Sequence, residues 1–172
     1  MSEQENVYRT DDYVVHWSGK VCRVLRTERL NMMEREDDYY ILQPLREEKG
    51  RIYVPVRKAG ESLRPVITKE EALKVIRDLP QIEPLAVQDE KMREKEYKNA
   101  FHSGDCLARV RIVKELYQRK LKRIRAGKKP AASDIETMSF MERSFEEELG
   151  TALGIPVEDV KTVIASTLKL KE

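Results

Sequence analysis

Short apolar runs separated by charged residues fill the first third of the chain. Four of them are rich in Val, Ile and Tyr, which is typical of β-strands: DYVVHW, KVCRVLR, DYYILQ and RIYVPV. Gly19 separates the first two runs, and REEKG at residues 46–50 predicts a turn before the last. Four short strands without a helical pattern between them predict a small antiparallel barrel or curled sheet. Pro55 predicts an edge position for the last strand, because proline has no N–H to donate.

From Thr68 onward the apolar positions recur at helical spacing. Thr68-Lys-Glu-Glu71 is a capping box that predicts a helix start, and Leu79-Pro80 predicts its end. Residues 80–88 contain two prolines and predict a connector, followed by a charged helix from Asp89 to about Phe101.

The longest helices are predicted after Gly104, with Asp105 as N-cap and Gly127 as the C-terminal glycine of the first. Its apolar stripe is predicted at five positions: Val110, Val113, Tyr117, Leu121 and Ile124. Ser133-Asp-Ile-Glu136 matches a second capping box and predicts the start of a helix that Gly154 ends. The stripe of that helix is predicted at Met138, Met141, Phe145, Leu149 and Ala152. One more helix is predicted from Val157 to about Thr167.

These patterns predict an α+β chain with two modules. Residues 11–66 are predicted to form the antiparallel β module, and residues 67–172 the all-helical module. The proline- and charge-rich stretch 80–88 is a candidate boundary between the β part and the helical bundle.

Charge changes this picture, because it is concentrated in one segment. The 172 residues carry a net charge of only +2, but residues 101–132 hold 10 basic against 2 acidic residues. Residues 133–172 hold 4 basic against 9 acidic residues. A basic patch of this kind indicates a polyanionic partner.

The candidate DNA-binding residues lie at the centre of that segment, and no acidic residue interrupts them. They are Arg119, Lys120, Lys122, Arg123, Arg125, Lys128 and Lys129. The alternative interpretation is a solvated helix face, which is what most charge runs are. The absence of acids within the run, and a Gly-Lys-Lys-Pro loop whose lysines could follow a phosphate backbone, favour nucleic acid. The segment has few aromatic residues, so the prediction is phosphate contact without base readout.

Catalytic and metal-binding patterns are missing from the sequence. The two histidines, His16 and His102, have no Asp or Cys in a catalytic arrangement, and Ala126-Gly-Lys-Lys-Pro130 lacks the first glycine and the Ser/Thr of a phosphate loop. We therefore expect no enzymatic activity, no metal and no cofactor. The sole tryptophan, Trp17, is predicted to fill a core or an interface.

The expected location is the cytoplasm. The N-terminus has no apolar signal segment, and no run approaches the ~18 apolar residues of a membrane span. Cys22 and Cys106 are far apart and match no metal spacing, so both are expected to be reduced thiols.

The order of several segments resembles the CarD/CdnL family of bacterial RNA polymerase-binding transcription regulators. The resemblance covers about residues 11–165 and rests on these segments: DYVVHWSGKVCRV, RIYVPV, LRPVITKEEALKVI, YKNAFHSGDCLARVRIVKELYQRK and FEEELGTALGIPVEDV. It implies that the β module is Tudor-like (SH3-like), as in the transcription-repair coupling factor, and that it docks on the polymerase β subunit through a strand edge. It also implies that the helical module contacts duplex promoter DNA at the upstream edge of the bubble and stabilises open complexes.

Individual positions carry over in part. The resemblance implies polymerase contacts at Arg29 and at the strand containing Tyr53, Val54 and Pro55, where Tyr53 stands in place of a basic residue. The basic Tyr-Lys pair in the first helix of the family's helical module appears here as Tyr97-Lys98. We therefore add Lys95 and Lys98 to the candidate DNA-binding residues. Many members carry a tryptophan before that helix, proposed to wedge into the minor groove.

Here Ala86, in PLAVQDE, stands about where that tryptophan would be. Two alternatives to a DNA-binding polymerase regulator therefore stay open. One is a polymerase-bound adaptor with the same fold but without productive DNA contact. The other is a basic nucleic-acid- or ribosome-associated protein unrelated to polymerase.

Overall fold

The computed structural model describes residues 7–169, with the Lys169 side chain left out. The chain divides into two compact units, Met1–Val66 and Ile67–Glu172. An antiparallel sheet makes up most of the first unit, and the second is helical, so the α+β prediction is confirmed. The connector 80–88 does not mark the division, because it lies inside the helical unit.

Five strands form the sheet in the spatial order β4-β3-β2-β1-β5. They are β1 (Tyr13–His16), β2 (Val21–Met32), β3 (Arg35–Pro44), β4 (Ile52–Pro55) and β5 (Leu63–Pro65). A 3-10 turn at Val56–Lys58 and a short helix α1 (Ala59–Ser62) link the last two strands. The edge position predicted for the Pro55 strand is confirmed, whereas β5 was not predicted, since three residues give no readable period.

β2 and β3 make a hairpin much longer than the sequence predicts. The charged stretch after Arg26 pairs with residues 35–41 across the strands, with Arg29 opposite Asp38. Met33 and Glu34 form the tip with φ of 54° and 62°. Two consecutive left-handed residues match the twist of a hairpin, although neither is the usual glycine or asparagine. The alternation of charges across the strands stabilises this part of the hairpin in place of apolar burial.

The sheet closes around its own apolar core. Strand residues that point inward pack with residues of the β4–β5 connection: Val14, Cys22, Val24, Tyr40, Leu42, Val54, Val56, Ala59 and Leu63. Because these positions alternate along the strands, the period-2 pattern of the sequence is what builds the core.

Helices of the second unit pack around an α4–α5 hairpin. They are α2 (Lys69–Asp78), α3 (Arg93–Phe101), α4 (Ala108–Arg125), α5 (Ala132–Leu153) and α6 (Val160–Lys169). Short 3-10 turns at Leu79–Gln81, Glu90–Met92 and Val157–Asp159 precede or follow them. One core joins α2, α6 and the C-terminal part of α5, and a second joins α3 to the middle of α4 and α5.

Local signals at the helix ends are confirmed in part. Thr68 accepts from the Glu71 N–H and Glu71 accepts from the Thr68 N–H, so the first capping box is present. Gly127 and Gly154 follow α4 and α5 with φ of 75° and 69°. Both glycines therefore adopt the left-handed conformation that ends a helix.

Two end signals are wrong. The predicted capping box at Ser133 does not form, because the N-cap of α5 is Ala131, two residues earlier, without a side-chain bond. Asp105 accepts from the Leu107 N–H, but this bond closes a turn before α4 and does not cap the helix itself.

The α5 stripe is confirmed, and the α4 stripe is largely wrong. Met141, Phe145 and Leu149 are buried. On α4 the fully buried positions are Ile112 and Leu116, which the predicted stripe omits. The buried face of α4 also includes Arg109, a charged residue that a hydrophobic pattern passes over.

Candidate functional site

Arg29 lies on the exposed part of the β2–β3 hairpin. Its side chain is 59% exposed and lies 3.4 Å from Asp38 Oδ1 and 3.5 Å from Glu36 Oε1. Exposed ion pairs of this kind contribute roughly 0–1 kcal/mol. The guanidinium is therefore accessible, and a carboxylate from a partner can replace its present neighbours.

β4 offers a second accessible position. Tyr53 is 45% exposed, and its strand has a hydrogen-bonded neighbour on one side only, β3. The family resemblance implied polymerase contacts at Tyr53, Val54 and Pro55 together. Val54 instead points into the core at 3% exposure, so its side chain is not available for contact. Pro55 is half-buried at the strand's end and has no N–H to offer a partner strand.

The basic segment occupies the second half of α4 and the loop that follows it, within the second unit. Arg119 is the exception among its cations, because it is already paired. Its Nη1 donates to both carboxylate oxygens of Glu90 at 2.9 Å, and its Nε donates to Asp134 Oδ2 at 3.1 Å. The acids come from other elements, so the absence of acids within the run did not keep Arg119 free.

Asp134 is the centre of this network and was not singled out from the sequence. It is 7% exposed, in the first turn of α5, and accepts from Arg93 Nη1 at 3.2 Å as well as from Arg119. Arg93 also donates to the Tyr97 hydroxyl, which in turn bonds to Glu115. Burial, followed by the Glu115 hydrogen bond, raises the pKa of Tyr97. The network holds α3, α4 and α5 together, so its members are structural.

The Gly-Lys-Lys-Pro loop has a fixed backbone. The Lys128 N–H donates to the Arg123 carbonyl at 2.9 Å around Gly127, and Arg123 Nε donates to the Lys129 carbonyl at 2.8 Å. Together with the bond from the Gly127 N–H to the Ile124 carbonyl at 3.0 Å, the Lys128 bond makes a Schellman end, and the Arg123 side chain ties the helix to the loop.

The remaining cations of the segment have no carboxylate within ion-pair distance among residues 7–169. They are Lys120, Lys122, Arg125, Lys128 and Lys129. All are exposed except Lys120, which is half-buried. On α3, Lys95 and Lys98 are exposed too, while the neighbouring Tyr97 is buried. The structure therefore leaves seven of the nine predicted DNA-binding side chains available and places Arg119 and Arg123 in internal bonds.

Ala86 lies in the connector between α2 and α3. The connector is anchored to α4 where the Leu85 N–H donates to the Arg111 carbonyl at 3.0 Å. Ala86 itself is exposed. A small side chain thus stands at a solvent-facing point of an anchored segment.

His16 is the last residue of β1, and Trp17 opens the turn to β2. Trp17 is 56% exposed, so it does not fill the core, and the predicted alternative, a place in an interface, stays a prediction. His16 Nδ1 lies 2.7 Å from Ser18 Oγ and accepts from the Ser18 N–H at 3.3 Å. Burial, with a smaller contribution from Lys20, lowers the pKa of His16. These contacts give His16 a role in shaping the turn.

No group of three or more His, Cys, Asp or Glu side chains in residues 7–169 is arranged to hold a metal ion. None of the described helices is both long and apolar enough to cross a bilayer. Cys22 and Cys106 are both buried free thiols.

Comparison with known proteins bears on the first unit. A family model for the CarD-like/TRCF RID domain matches residues 8–67. No curated protein matches the chain. The matched residues span the five-stranded sheet, including Arg29 and β4. Residues 8–67 of this chain are therefore similar to the CarD-like/TRCF RID domain, a protein-interaction domain of the type that interacts with the RNA polymerase β subunit.

Proposed function

We propose that this protein is a transcription regulator without catalytic activity that joins RNA polymerase to promoter DNA. Its RID domain contacts the polymerase β subunit, and its helical unit contacts duplex DNA and modulates the stability of the open complex. The observation that carries the proposal is the RID match over residues 8–67. The cations without carboxylate partners on the helical unit support its DNA part.

On the RID domain, Arg29 and Tyr53 are the contacts we propose. Arg29 supplies an exposed charge whose present ion pairs are weak, and Tyr53 supplies an exposed aromatic ring on an edge strand. Such edges accept a partner strand or a β surface, with side chains adding specificity. Val54 and Pro55 then contribute by keeping Tyr53 at the surface.

Polymerase binding tests this part with variants that leave the core alone. Arg29→Glu and Tyr53→Ala should each weaken binding of the full-length chain to purified polymerase. Arg26→Glu is the matched control, since Arg26 is on the same strand, 57% exposed, and paired with Glu28. Unchanged affinity for both Arg29→Glu and Tyr53→Ala, with the fold intact by circular dichroism, would falsify the assignment.

On the helical unit, we propose that Lys122, Lys128 and Lys129 contribute most to phosphate binding. They are exposed and have no carboxylate partner in the described chain. Lys95, Lys98, Lys120 and Arg125 are the further candidates. Arg119 is a poor test residue, because its removal would take one of the two arginines away from the buried Asp134.

Duplex binding should be weak, independent of sequence and strongly salt-dependent. The log–log slope should be about −0.9 per phosphate neutralised. The variant carrying Lys122→Glu, Lys128→Glu and Lys129→Glu should bind less tightly and with a shallower slope. Affinity that does not vary with salt, or that survives the triple change, contradicts a role in DNA contact.

The exposed Ala86 favours one second candidate, a polymerase-bound adaptor without productive DNA contact. A methyl group cannot wedge between base pairs as a tryptophan can. Titration with duplex DNA separates the two functions. An adaptor would bind polymerase but show no duplex affinity for the triple lysine change to reduce.

A further inference from the structure

The apolar stripe of α4 is covered along only half of its length. Val110 is 8% exposed and packs with α2 and α6, and Val113 packs against the core around Tyr97. One turn later the cover ends. Tyr117 is 51% exposed and Ile124 is 49% exposed, and Leu121 between them is half-buried. The sequence pattern predicted these residues as core, so the fold leaves an apolar helix face without a partner among the described residues.

A groove of about 460 Å³ adjoins the uncovered part at Tyr117, wholly within the second unit. Pro80, Ile82 and Pro84 of the connector form its wall, Met138 also lines it, and so do the carboxylates Glu83 and Glu142. Lys114 fixes the wall, because its Nζ donates to the Leu79 and Ile82 carbonyls at 2.5 and 2.6 Å. The groove therefore has a fixed edge and a mixed lining, and the apolar surface proper is the stripe beyond it.

Cations border the stripe on both sides. Lys120 lies one turn from Tyr117 and from Ile124, and Arg125 lies one turn beyond Leu121. Neither cation has a carboxylate within ion-pair distance in the part of the chain that the structure describes. Two copies of this surface brought face to face would place like charges against each other, which disfavours self-association.

We propose that Tyr117, Leu121 and Ile124 form a docking surface for an acidic amphipathic helix of a partner protein. The partner's apolar residues would lie on the stripe, outside the groove that Glu83 and Glu142 line, with its carboxylates beside Lys120 and Arg125. Helices bind apolar grooves through residues at i, i+3, i+4 and i+7, and complementary charge sets their register. The proposal goes beyond promoter binding, for which Lys122, Lys128 and Lys129 are the main proposed contacts.

A designed peptide provides the probe. A fluorescent peptide of about four helical turns, ~14 residues, carries leucines at i, i+3, i+4 and i+7 and glutamates elsewhere. A second peptide has the same composition in an order that scatters the leucines, and a third has lysines in place of the glutamates. Fluorescence anisotropy with the full-length chain should show binding of the first peptide, and at least tenfold weaker binding of the other two.

Variants then locate the site. Tyr117→Ser with Ile124→Ser should weaken binding of the acidic peptide at least tenfold, and Lys120→Glu with Arg125→Glu should weaken it and flatten its salt dependence. The matched control is Leu73→Ser with Lys74→Glu, which changes an exposed apolar residue and an exposed cation on α2. It should leave binding unchanged.

Three outcomes would overturn the proposal. The scattered peptide could bind as tightly as the amphipathic one, or the Tyr117 and Ile124 changes could have no effect while the melting temperature stays the same. Finally, those two changes could weaken duplex DNA binding and leave peptide binding intact, which would assign the stripe to the nucleic-acid surface.

Discussion

At the scale of single residues, the Arg109–Glu148 pair is the feature with the largest expected effect on stability. Arg109 is 3% exposed and Glu148 is fully buried. Arg109 also donates to Ser144 Oγ at 2.9 Å and lies over the Phe145 ring. Glu148 accepts from the Ile67 N–H at 3.1 Å, so one carboxylate joins α4, α5 and the start of the helical unit.

Glu148→Leu should therefore lower the free energy of unfolding by about 3–5 kcal/mol, since it leaves a buried guanidinium without its counter-charge. Urea unfolding followed by circular dichroism measures this. Adding Arg109→Met should recover much of the lost stability, because neither charge of the pair is then buried. Lys161→Ala is the control: Lys161 is exposed, its contact with the less exposed Glu146 is 3.7 Å long, and its loss should change stability by less than ~1 kcal/mol. A double variant as unstable as Glu148→Leu would contradict this account.

His16 predicts a loss of stability in acid. Its pKa in the folded chain is lowered by burial, and its Nδ1 accepts from the Ser18 N–H, so protonation there would break that bond. Below the ordinary imidazole pKa of about 6.5 the unfolded chain takes up a proton that the folded chain resists. Stability should thus fall as the pH falls through that value.

His16→Asn removes this titration while its amide oxygen can still accept from Ser18. As the pH falls, the unfolding midpoint of wild type should drop more than that of His16→Asn. Fluorescence of Trp17, whose ring centroid is 5.5 Å from that of His16, reports unfolding of this turn. A difference that stays constant with pH would remove His16 as the source.

At the scale of elements, the two Ser/Thr-x-x-Glu motifs behave differently. The one at Thr68 forms both bonds of a capping box, and the one at Ser133 lies inside α5 and forms neither. Thr68→Ala should lower the free energy of unfolding of the helical unit by about 1 kcal/mol, through loss of the bond to the Glu71 N–H.

Ser133→Ala is the matched control, and its effect should stay within about 0.5 kcal/mol. Thermal unfolding followed at 222 nm, at equal protein concentration, compares the two. Equal effects at both positions would mean that the contact at Thr68 does not stabilise α2.

At the scale of the whole molecule, each unit has an apolar core made of its own residues. We therefore expect fragments 1–66 and 67–172 to fold separately. Fragment 1–66 should retain polymerase binding, and fragment 67–172 should retain duplex binding. Heat-capacity scans and pull-downs with each fragment check this. A fragment 1–66 that is unfolded, or folded and unable to bind polymerase, would contradict the division of roles.

Restoring a wedge should strengthen the effect on promoter complexes. Ala86→Trp places a large apolar side chain at an exposed point of the anchored connector. Insertion at a base step costs a few kcal/mol of unstacking, which contacts in the opened junction offset. Ala86→Trp should lengthen the open-complex lifetime after competitor challenge and leave polymerase affinity unchanged.

Gln88→Trp, two residues away and also exposed, controls for added aromatic surface. If wild type already extends the lifetime strongly and Ala86→Trp adds nothing, another residue supplies the wedge or Ala86 is the wrong position.

The sequence by itself determined the features that depend on neighbours along the chain. Alternation at residues 12–57 and helical spacing after Thr68 predicted the two kinds of structure, because each period places apolar residues on one face. Thr68, Gly127 and Pro55 were also readable, since capping, left-handed φ and a missing N–H are local properties.

Only the tertiary structure decided which faces are covered and which charges are paired. Asp134 and Glu90 neutralise Arg119 from elements 15 and 29 residues away in the chain. The buried face of α4 is rotated from its predicted apolar stripe. Ile112 and Leu116 pack against Tyr97 of α3 and Met141 of α5, and Arg109 pairs with Glu148. Burial and ion pairing depend on residues that are distant in the chain. Composition therefore identifies the basic segment, but only the fold determines which of its cations remain available to a partner.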